Sequence, residues 1–178
     1  MVPGGLRYGS HYVVEYDSDS PWYETSLTIT AEALRQEVPT EYHVFTHPPS
    51  DVRENLSRLG LNTRRLEEED KLRILDTYDV MTGLATPEKP VAMQSKGREP
   101  FEAHHSFNLE NWSSKVVALM QQGFAENEKK WLHLDDNTSI LNHYTDEKAI
   151  IDTWRTRFIP YGRVRELAMI HSFVSGGL

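Results

Sequence analysis

The fold class is decided by residues 10–35, SHYVVEYDSDSPWYETSLTITAEALR, which read as a strand, a loop and a helix in succession. The apolar run His11–Glu15 is typical of a buried strand, and the turn-forming residues of Asp17–Pro21 predict a loop after it. From Leu27 to Leu34, apolar side chains recur at the i, i+4, i+7 spacing of one helix face. This combination is the repeating unit of parallel α/β sheets.

The same alternation continues along the chain. Further strands are predicted at Tyr42–Thr46, Leu72–Leu75, Trp131–Asp135 and Leu167–Val174. Further helices are predicted from Pro49 to about Gly60, from Leu109 to Leu119 and from Ile150 to Phe158. Residues 77–106 are rich in proline and glycine and predict a long irregular loop. The sequence therefore predicts one α/β domain over residues 1–178, built on a mainly parallel sheet of five strands.

Composition narrows the choice of partners and compartment. The chain carries 27 acidic residues against 19 Lys and Arg, a formal net charge of −8, which disfavours binding to nucleic acid or to anionic membranes. It has no cysteine, which excludes disulfides, thiolate nucleophiles and cysteine-based zinc sites. No apolar run approaches the roughly 18 residues of a membrane span. We expect a cytoplasmic protein with neither a nucleic-acid nor a membrane partner.

Three ordered segments match one known family. They are GGLRYGS at residues 4–10, PSDVREN at 49–55 with RLG at 58–60, and LEEEDKLRILD at 66–76. They resemble G-G-L-P-R-G-S, P-E-D-L-R-x-N with a later R-F-G, and L-E-E-E-G-K-L-R-I-L-D in the RecA-like ATPases of the KaiC group, archaeal and bacterial P-loop proteins. The resemblance implies a three-layer α/β/α fold with sheet order 3-2-4-5-1, numbering strands by sequence.

The resemblance also places the family's phosphate-binding loop, G-x-x-x-x-G-K-T. Carried across without gaps, it falls on Tyr16, Asp17, Ser18, Asp19, Ser20, Pro21, Trp22 and Tyr23. Pro21 lacks an N–H, Trp22 supplies no cation, and Tyr23 holds its hydroxyl at the wrong reach for Mg²⁺. Residues 9–34 contain acidic side chains but no Lys or Arg. We therefore expect a degenerate loop that does not cradle phosphates.

Of the other two elements of the family's active site, the pair of glutamates is replaced in this chain and the aspartate is present. The two glutamates that polarise the attacking water correspond to Thr46 and His47, so no catalytic residue is predicted. Asp135 ends the apolar strand LHLD and resembles the aspartate that holds Mg²⁺ through water, as a remnant of that site. No cofactor is expected, and ATP with Mg²⁺ enters only if the loop binds nucleotide in an unorthodox way.

Other polar pairs have simpler explanations than a site. His104 and His105 are adjacent and point apart on regular backbone, and Ser139 with His143 lacks a glycine-flanked serine. His43 and His47 lie too far apart along a strand to share a metal ion. The basic stretch 53–73 is interrupted by acidic residues and predicts an ion-paired surface.

The leading functional hypothesis is a catalytically inactive RecA/KaiC-like domain with an interaction or regulatory role in signalling or assembly. Its partner would be another protein or further copies of itself, as a dimer or ring. Two alternatives stay open: an ATPase with an unorthodox loop in signal transduction, and a DNA-binding RecA-like module.

In the family, later strands cover the outer side of the first strand. We therefore expect either that Tyr12–Glu15 pairs with another chain, or that the domain is truncated at Leu178 and the natural protein is longer.

Overall fold

The computed structural model describes residues 5–78, 109–121, 124, 130–143 and 147–175. The strands are β1 Ser10–Tyr16, β2 Thr40–Val44, β3 Leu72–Asp76, β4 Leu132–Asp136 and β5 Ala168–Val174. The helices are α1 Trp22–Arg35, α2 Pro49–Arg58, α3 Thr63–Glu68, α4 Leu109–Gln121, α5 Thr138–His143, α6 Glu147–Thr153 and α7 Ile159–Val164. No helix of these described residues is long and apolar enough to cross a membrane.

The strands form one five-stranded sheet in the order β1-β5-β4-β2-β3, and every pairing is parallel. This is the predicted order read from the opposite edge, so the α/β class and the RecA-like topology are confirmed. Among the strands, β2 differs most from its predicted bounds: the sequence predicted Tyr42–Thr46, and the strand runs from Thr40 to Val44. The backbone N–H of Thr77 caps that end by donating to the Val44 carbonyl at 3.0 Å. The rest of the predicted loop 77–106, beyond Tyr78, lies outside the described residues.

One face of the sheet is an ordinary apolar core. It packs α1 and α2 against alternate strand residues such as Tyr42, Leu134 and Ile170. Helix α1 contributes the predicted stripe of Leu27, Ala31 and Leu34, each at most 6% exposed. Because successive strand residues point to opposite faces, the remaining strand residues must be covered by the other helices.

The second face combines an apolar core with a belt of buried polar side chains. Its apolar part includes Phe45, Trp131 and Met169 and packs against α4, α5, α6 and α7. Its polar part runs across four neighbouring strands and consists of Arg73, Glu41, His43, His133, Asp135 and His171, all at most 4% exposed. Burying charge is costly unless every group is paired, so this belt constrains the fold more tightly than the apolar face does.

The basic stretch forms the ion-paired surface expected from the sequence. Within the described residues, Arg58, Arg64 and Arg65 pair with Glu54, Glu68 and Glu69 at i, i+4 spacing. Arg53 reaches between helices and forms a forked pair with Glu67, with N–O distances of 2.8–3.2 Å. The exposed i, i+4 pairs add little stability, and the pairing leaves this side no continuous positive surface.

A π-helical stretch, Trp154–Phe158, joins α6 to α7 and makes room for Pro160. Proline has no N–H and its ring clashes with the carbonyl four residues earlier, so a regular α-helix is disfavoured here. The wider π turn removes that conflict. It also carries α7 on to β1, where Gly162 lies against the polar face of the sheet.

Gly162 is required for close packing. A Cβ added there would lie 2.5 Å from Met169 Sδ and 2.7 Å from His11 Nε2. We predict that Gly162→Ala lowers the free energy of unfolding by up to about 2 kcal/mol, because overpacking costs about 1–3 kcal/mol and the gain in helix propensity offsets about 1 kcal/mol of it. Urea unfolding measures the change. In a Met169→Ala background the loss should shrink, whereas an alanine that stabilises the native background would contradict the packing argument.

Candidate functional site

A cleft lies at the carboxyl ends of β1, β2 and β4, where parallel α/β folds place their ligand sites. Its lining consists of Trp22, Tyr23, Ser26, Tyr42, His43, Val44, Phe45, Thr46, His47, Leu134 and Asp136. None of these described lining residues is a lysine or an arginine. The family resemblance places the phosphate-binding loop along this same edge.

The loop after β1 closes on itself. The N–H of Ser20 donates to the Asp17 carbonyl at 2.9 Å, and the N–H of Thr25 donates to the Pro21 carbonyl at 3.0 Å. Residues 17–21 are exposed, and the carboxylates Asp17 and Asp19 extend from them. A phosphate-binding nest needs successive free N–H groups directed inward, and here one of those groups is used and another is absent in proline.

Aromatic side chains occupy the floor of the cleft. The Tyr16 hydroxyl donates to Asp136 Oδ2 at 2.8 Å, and its ring stacks on Trp22 with centroids 5.9 Å apart. The rings of Tyr23 and His47 lie parallel with centroids 3.8 Å apart. Burial, with the nearby charge of Asp136, raises the pKa of Tyr16 to about 12, so this hydroxyl stays a hydrogen-bond donor at neutral pH.

Asp136 is the aspartate that contacts the loop, and sequence reasoning missed it. Besides the bond from Tyr16, its Oδ1 accepts from the Thr138 N–H at 3.1 Å and from Thr138 Oγ1 at 2.7 Å. Asp135, which the sequence suggested as the remnant of the Mg²⁺ site, is buried on the opposite face of the sheet. The alternation of strand side chains is the signal that separates these two neighbours.

The positions that match the family's catalytic glutamates, Thr46 and His47, provide no carboxylate to the cleft. Thr46 is exposed, and its hydroxyl lies 2.9 Å from Nδ1 of His47. His47 is half-buried under the ring of Tyr23. His43 lies away from His47, buried in β2, with Nε2 2.6 Å from the Thr77 hydroxyl. The pair His104 and His105 lies outside the described residues.

Beneath the cleft, on the other face of the sheet, Asp135 joins two histidines. His171 Nδ1 lies 2.9 Å and 3.0 Å from the two oxygens of Asp135, and His133 Nε2 lies 3.1 Å from Oδ2. One ligand atom from each of these three residues falls within 4.8 Å of the others. We call His133, Asp135 and His171 the imidazole–carboxylate cluster.

Two further side chains hold the outer sides of the cluster. His133 Nδ1 lies 2.8 Å from Glu41 Oε1, and His171 Nε2 lies 3.2 Å from Nδ1 of His11.

Burial alone would lower the pKa of His133, but its hydrogen bonds to Asp135 and Glu41 raise that pKa to about 9. Although burial opposes it, the charge of His171 and the two histidine hydrogen bonds hold the pKa of Asp135 well below its usual range. The cluster is therefore charged at neutral pH, with Asp135 anionic and His133 cationic.

Sequence reasoning did not identify this cluster. Glu41 and His171 are far from His133 and Asp135 in the chain and become their neighbours only through strand pairing. The available signal is the polar residue at every second position of otherwise apolar strands, as in His133-Leu134-Asp135 and Glu41-Tyr42-His43. This pattern indicates one polar face, whereas we had treated these strands only as apolar runs.

Neutral His43 should make the fold sensitive to acid. Burial, with repulsion from cationic His133 next, lowers the pKa of His43 to about 3, below the ordinary value of 6.5. The unfolded chain binds this proton first, so the stability due to neutral His43 is present above pH 6.5 and falls as the pH drops toward 3. We predict that wild type loses about 1.4 kcal/mol more per pH unit below 6.5 than His43→Gln does. Denaturant titrations at several pH values test this, and identical slopes would contradict it.

Comparisons with known proteins agree with this architecture. No protein-family model and no curated protein sequence matches the chain. Among solved structures, a KaiC-like protein from the hyperthermophilic archaeon Pyrococcus horikoshii OT3 is similar with a TM-score of 0.69 and 13% identity, over 99% of this chain and 67% of that one. The flagellar accessory protein FlaH from Methanocaldococcus jannaschii gives a TM-score of 0.63 and 12% identity, over 98% and 65%.

The chain thus spans about two thirds of the length of each of these two proteins. At 12–13% identity the similarity concerns the fold and does not transfer an activity. The path of the chain and the parallel sheet are shared over almost all of this sequence. The chain has the KaiC-like, RecA-type α/β fold.

Proposed function

We propose that this chain is a RecA-like domain without ATPase activity, and that it acts through protein interaction in a regulatory or assembly role. One observation carries the proposal. Tyr16 donates its hydroxyl to Asp136 beside the cleft, and the rings of Trp22 and Tyr23 line the cleft at the positions that the family resemblance matches to the lysine and threonine of the phosphate-binding loop.

The electrostatics of the cleft support this proposal. A triphosphate requires cations and free N–H groups, but the described lining offers Asp136 and the loop beside it adds Asp17 and Asp19. Glu24 already provides negative charge in the first turn of α1, where a phosphate would otherwise interact with the helix dipole. An incoming nucleotide would meet like charges with no compensating group.

The end of β2 supports the absence of hydrolysis. Activating water requires a base within hydrogen-bond reach of it. At this position the hydroxyl of Thr46 is hydrogen-bonded to the imidazole of His47, and the ring of Tyr23 covers one side of that imidazole. Neither Thr46 nor His47 is a carboxylate, and the described lining of the cleft beside them has no phosphate-binding cation that would orient a substrate.

The exposed edge of the sheet supports an interaction role. Strand β1 pairs with β5 on one side and has no partner strand on the other among the described residues. Val13 in the middle of β1 is 68% exposed. An apolar edge strand presents unpaired backbone groups to which another chain can add. We propose that β1 pairs with a second copy of this chain, in the cytoplasm.

Nucleotide should leave the protein unchanged. We predict that ATP with Mg²⁺, at millimolar concentration, does not raise the melting temperature in a thermal-shift assay. A ligand at 100 times its Kd adds about 2.7 kcal/mol to the native state, so genuine binding would be readily detected. A reproducible, dose-dependent rise would contradict the proposal and favour an ATPase with an unorthodox loop.

A restored variant provides the positive control for this assay. It combines Tyr16→Gly, Pro21→Gly, Trp22→Lys and Tyr23→Thr, which frees Asp136 and returns glycines, a cation and a hydroxyl to the loop. It should gain weak nucleotide affinity if the surrounding fold is otherwise suited to phosphate binding. If the restored variant is folded by circular dichroism but does not respond to ATP, the cleft is not a decayed nucleotide site.

The edge strand gives an independent test. We predict that wild type self-associates in light scattering at about 100 µM, in the micromolar range typical of weak pairing. Val13→Lys should shift it toward monomer, because a lysine on an edge strand opposes pairing. Thr28→Lys, at an exposed position of helix α1, serves as a charge-matched control. A monomeric wild type, or equal loss in both variants, would rule out pairing through β1.

A further inference from the structure

We propose that the imidazole–carboxylate cluster is a closed binding site for one first-row transition-metal dication, such as Zn²⁺ or Co²⁺. The ligands are His133 Nε2, Asp135 and His171 Nδ1, whose donor atoms fall within 4.8 Å of one another. The site lies on the opposite face of the sheet from the cleft and does not depend on the proposed function of the cleft.

The ring of His133 is held in the orientation that a metal ion needs. Its Nδ1 lies 2.8 Å from a Glu41 oxygen, an acceptor, so Nδ1 carries a proton and Nε2 faces Asp135. Metal-bound histidines characteristically donate their other N–H to a carboxylate, which fixes the ring and raises its basicity. Glu41 is fully buried and occupies this orienting position.

His171 is oriented in a similar way from the other side. Its Nε2 lies 3.2 Å from His11 Nδ1, while its Nδ1 points at both oxygens of Asp135. Because an ionised carboxylate only accepts, Nδ1 carries the hydrogen that faces Asp135, and a metal ion would take the place of that proton. Both imidazoles therefore direct a ring nitrogen toward the same carboxylate.

A dication would balance the buried charge. Glu41 and Asp135 are both buried carboxylates, and each lies against a ring nitrogen of the cluster. Arg73, the nearby cation, forms a forked pair with Asp70 at 3.0 Å. With M²⁺ bound, the ion, two neutral imidazoles and two carboxylates have a net charge of zero. Buried charge is tolerated when it is paired in this way.

The donor set selects the class of metal. Two imidazoles and one carboxylate suit Zn²⁺, Co²⁺ and similar ions, whereas Mg²⁺ and Ca²⁺ prefer oxygen ligands alone. Asn137 can supply a fourth ligand if its amide is turned over: its nitrogen now bonds to Asp135, while its buried Oδ1 has no hydrogen-bond partner among the described residues. Every ligand side chain is at most 6% exposed, so this closed site would brace β4 against β5 and leave no open coordination position for a substrate.

The test begins with the wild-type chain, stripped of metal by a chelator and checked for folding. We expect it to bind one Zn²⁺ per chain with a Kd of about 1 µM or tighter, to melt at a higher temperature with Zn²⁺ than without, and to give the visible absorption of four-coordinate Co²⁺. Folded wild type that shows neither the Co²⁺ spectrum nor stoichiometric Zn²⁺ at 100 µM, a concentration about 100 times that Kd, overturns the proposal.

Variants locate the site. His171→Gln should lose at least tenfold in Zn²⁺ affinity, and Glu41→Gln should lose about 10–100-fold through its effect on His133. His47→Gln is the matched control, because it removes a histidine from the cleft on the other face and should leave the affinity unchanged. If His47→Gln loses the ion while His171→Gln keeps it, the metal binds elsewhere and the proposal is wrong.

If His171→Gln does not fold, the Co²⁺ spectrum of wild type must still show nitrogen and oxygen ligation. A spectrum of hydrated Co²⁺ alone overturns the proposal.

Discussion

The carboxylate of Asp135 is the constraint around which this structure is arranged. It is a buried anion in a central strand, and its charge is met by His133 from the same strand and His171 from the next. A buried carboxylate that loses such partners costs several kcal/mol, far more than one apolar contact provides. The parallel register that places Asp135 beside His171 and Glu41 beside His133 is therefore specified by charge as well as by hydrophobic burial.

The two neighbouring aspartates at the end of β4 divide the molecule into two chemical regions. Asp136 faces the cleft and accepts hydrogen bonds from the hydroxyls of Tyr16 and Thr138. Asp135 faces the helices α4 to α7 and is surrounded by nitrogen donors. Two successive residues of one strand therefore lie in a hydroxyl-rich and in an imidazole-rich environment.

Much of the architecture could be predicted from local signals. The helix stripe from Leu27 to Leu34, Pro49 at the start of α2 and the strand at Leu72–Asp76 each follow from spacing and residue type. That the loop is degenerate stays a prediction, which follows from Pro21 and Trp22 at the positions where the family has glycine and lysine. The imidazole–carboxylate cluster was not predicted, because His171 and the supporting Glu41 come from other strands than His133 and Asp135 and meet them only through long-range pairing. The Tyr16–Asp136 bond was missed for the same reason, because its partners are 120 positions apart in the chain.

The coupling within the buried belt also constrains how this sequence can change over time. Replacing Glu41, His133, Asp135 or His171 alone leaves an unmatched charge or an orphaned ring nitrogen in the interior, whereas apolar side chains of similar volume at all four positions would remove the electrostatic demand altogether. Single steps between these two states are strongly deleterious, although both end states can fold. Homologues should therefore inherit the four residues as a block or lack them as a block, with few sequences in between.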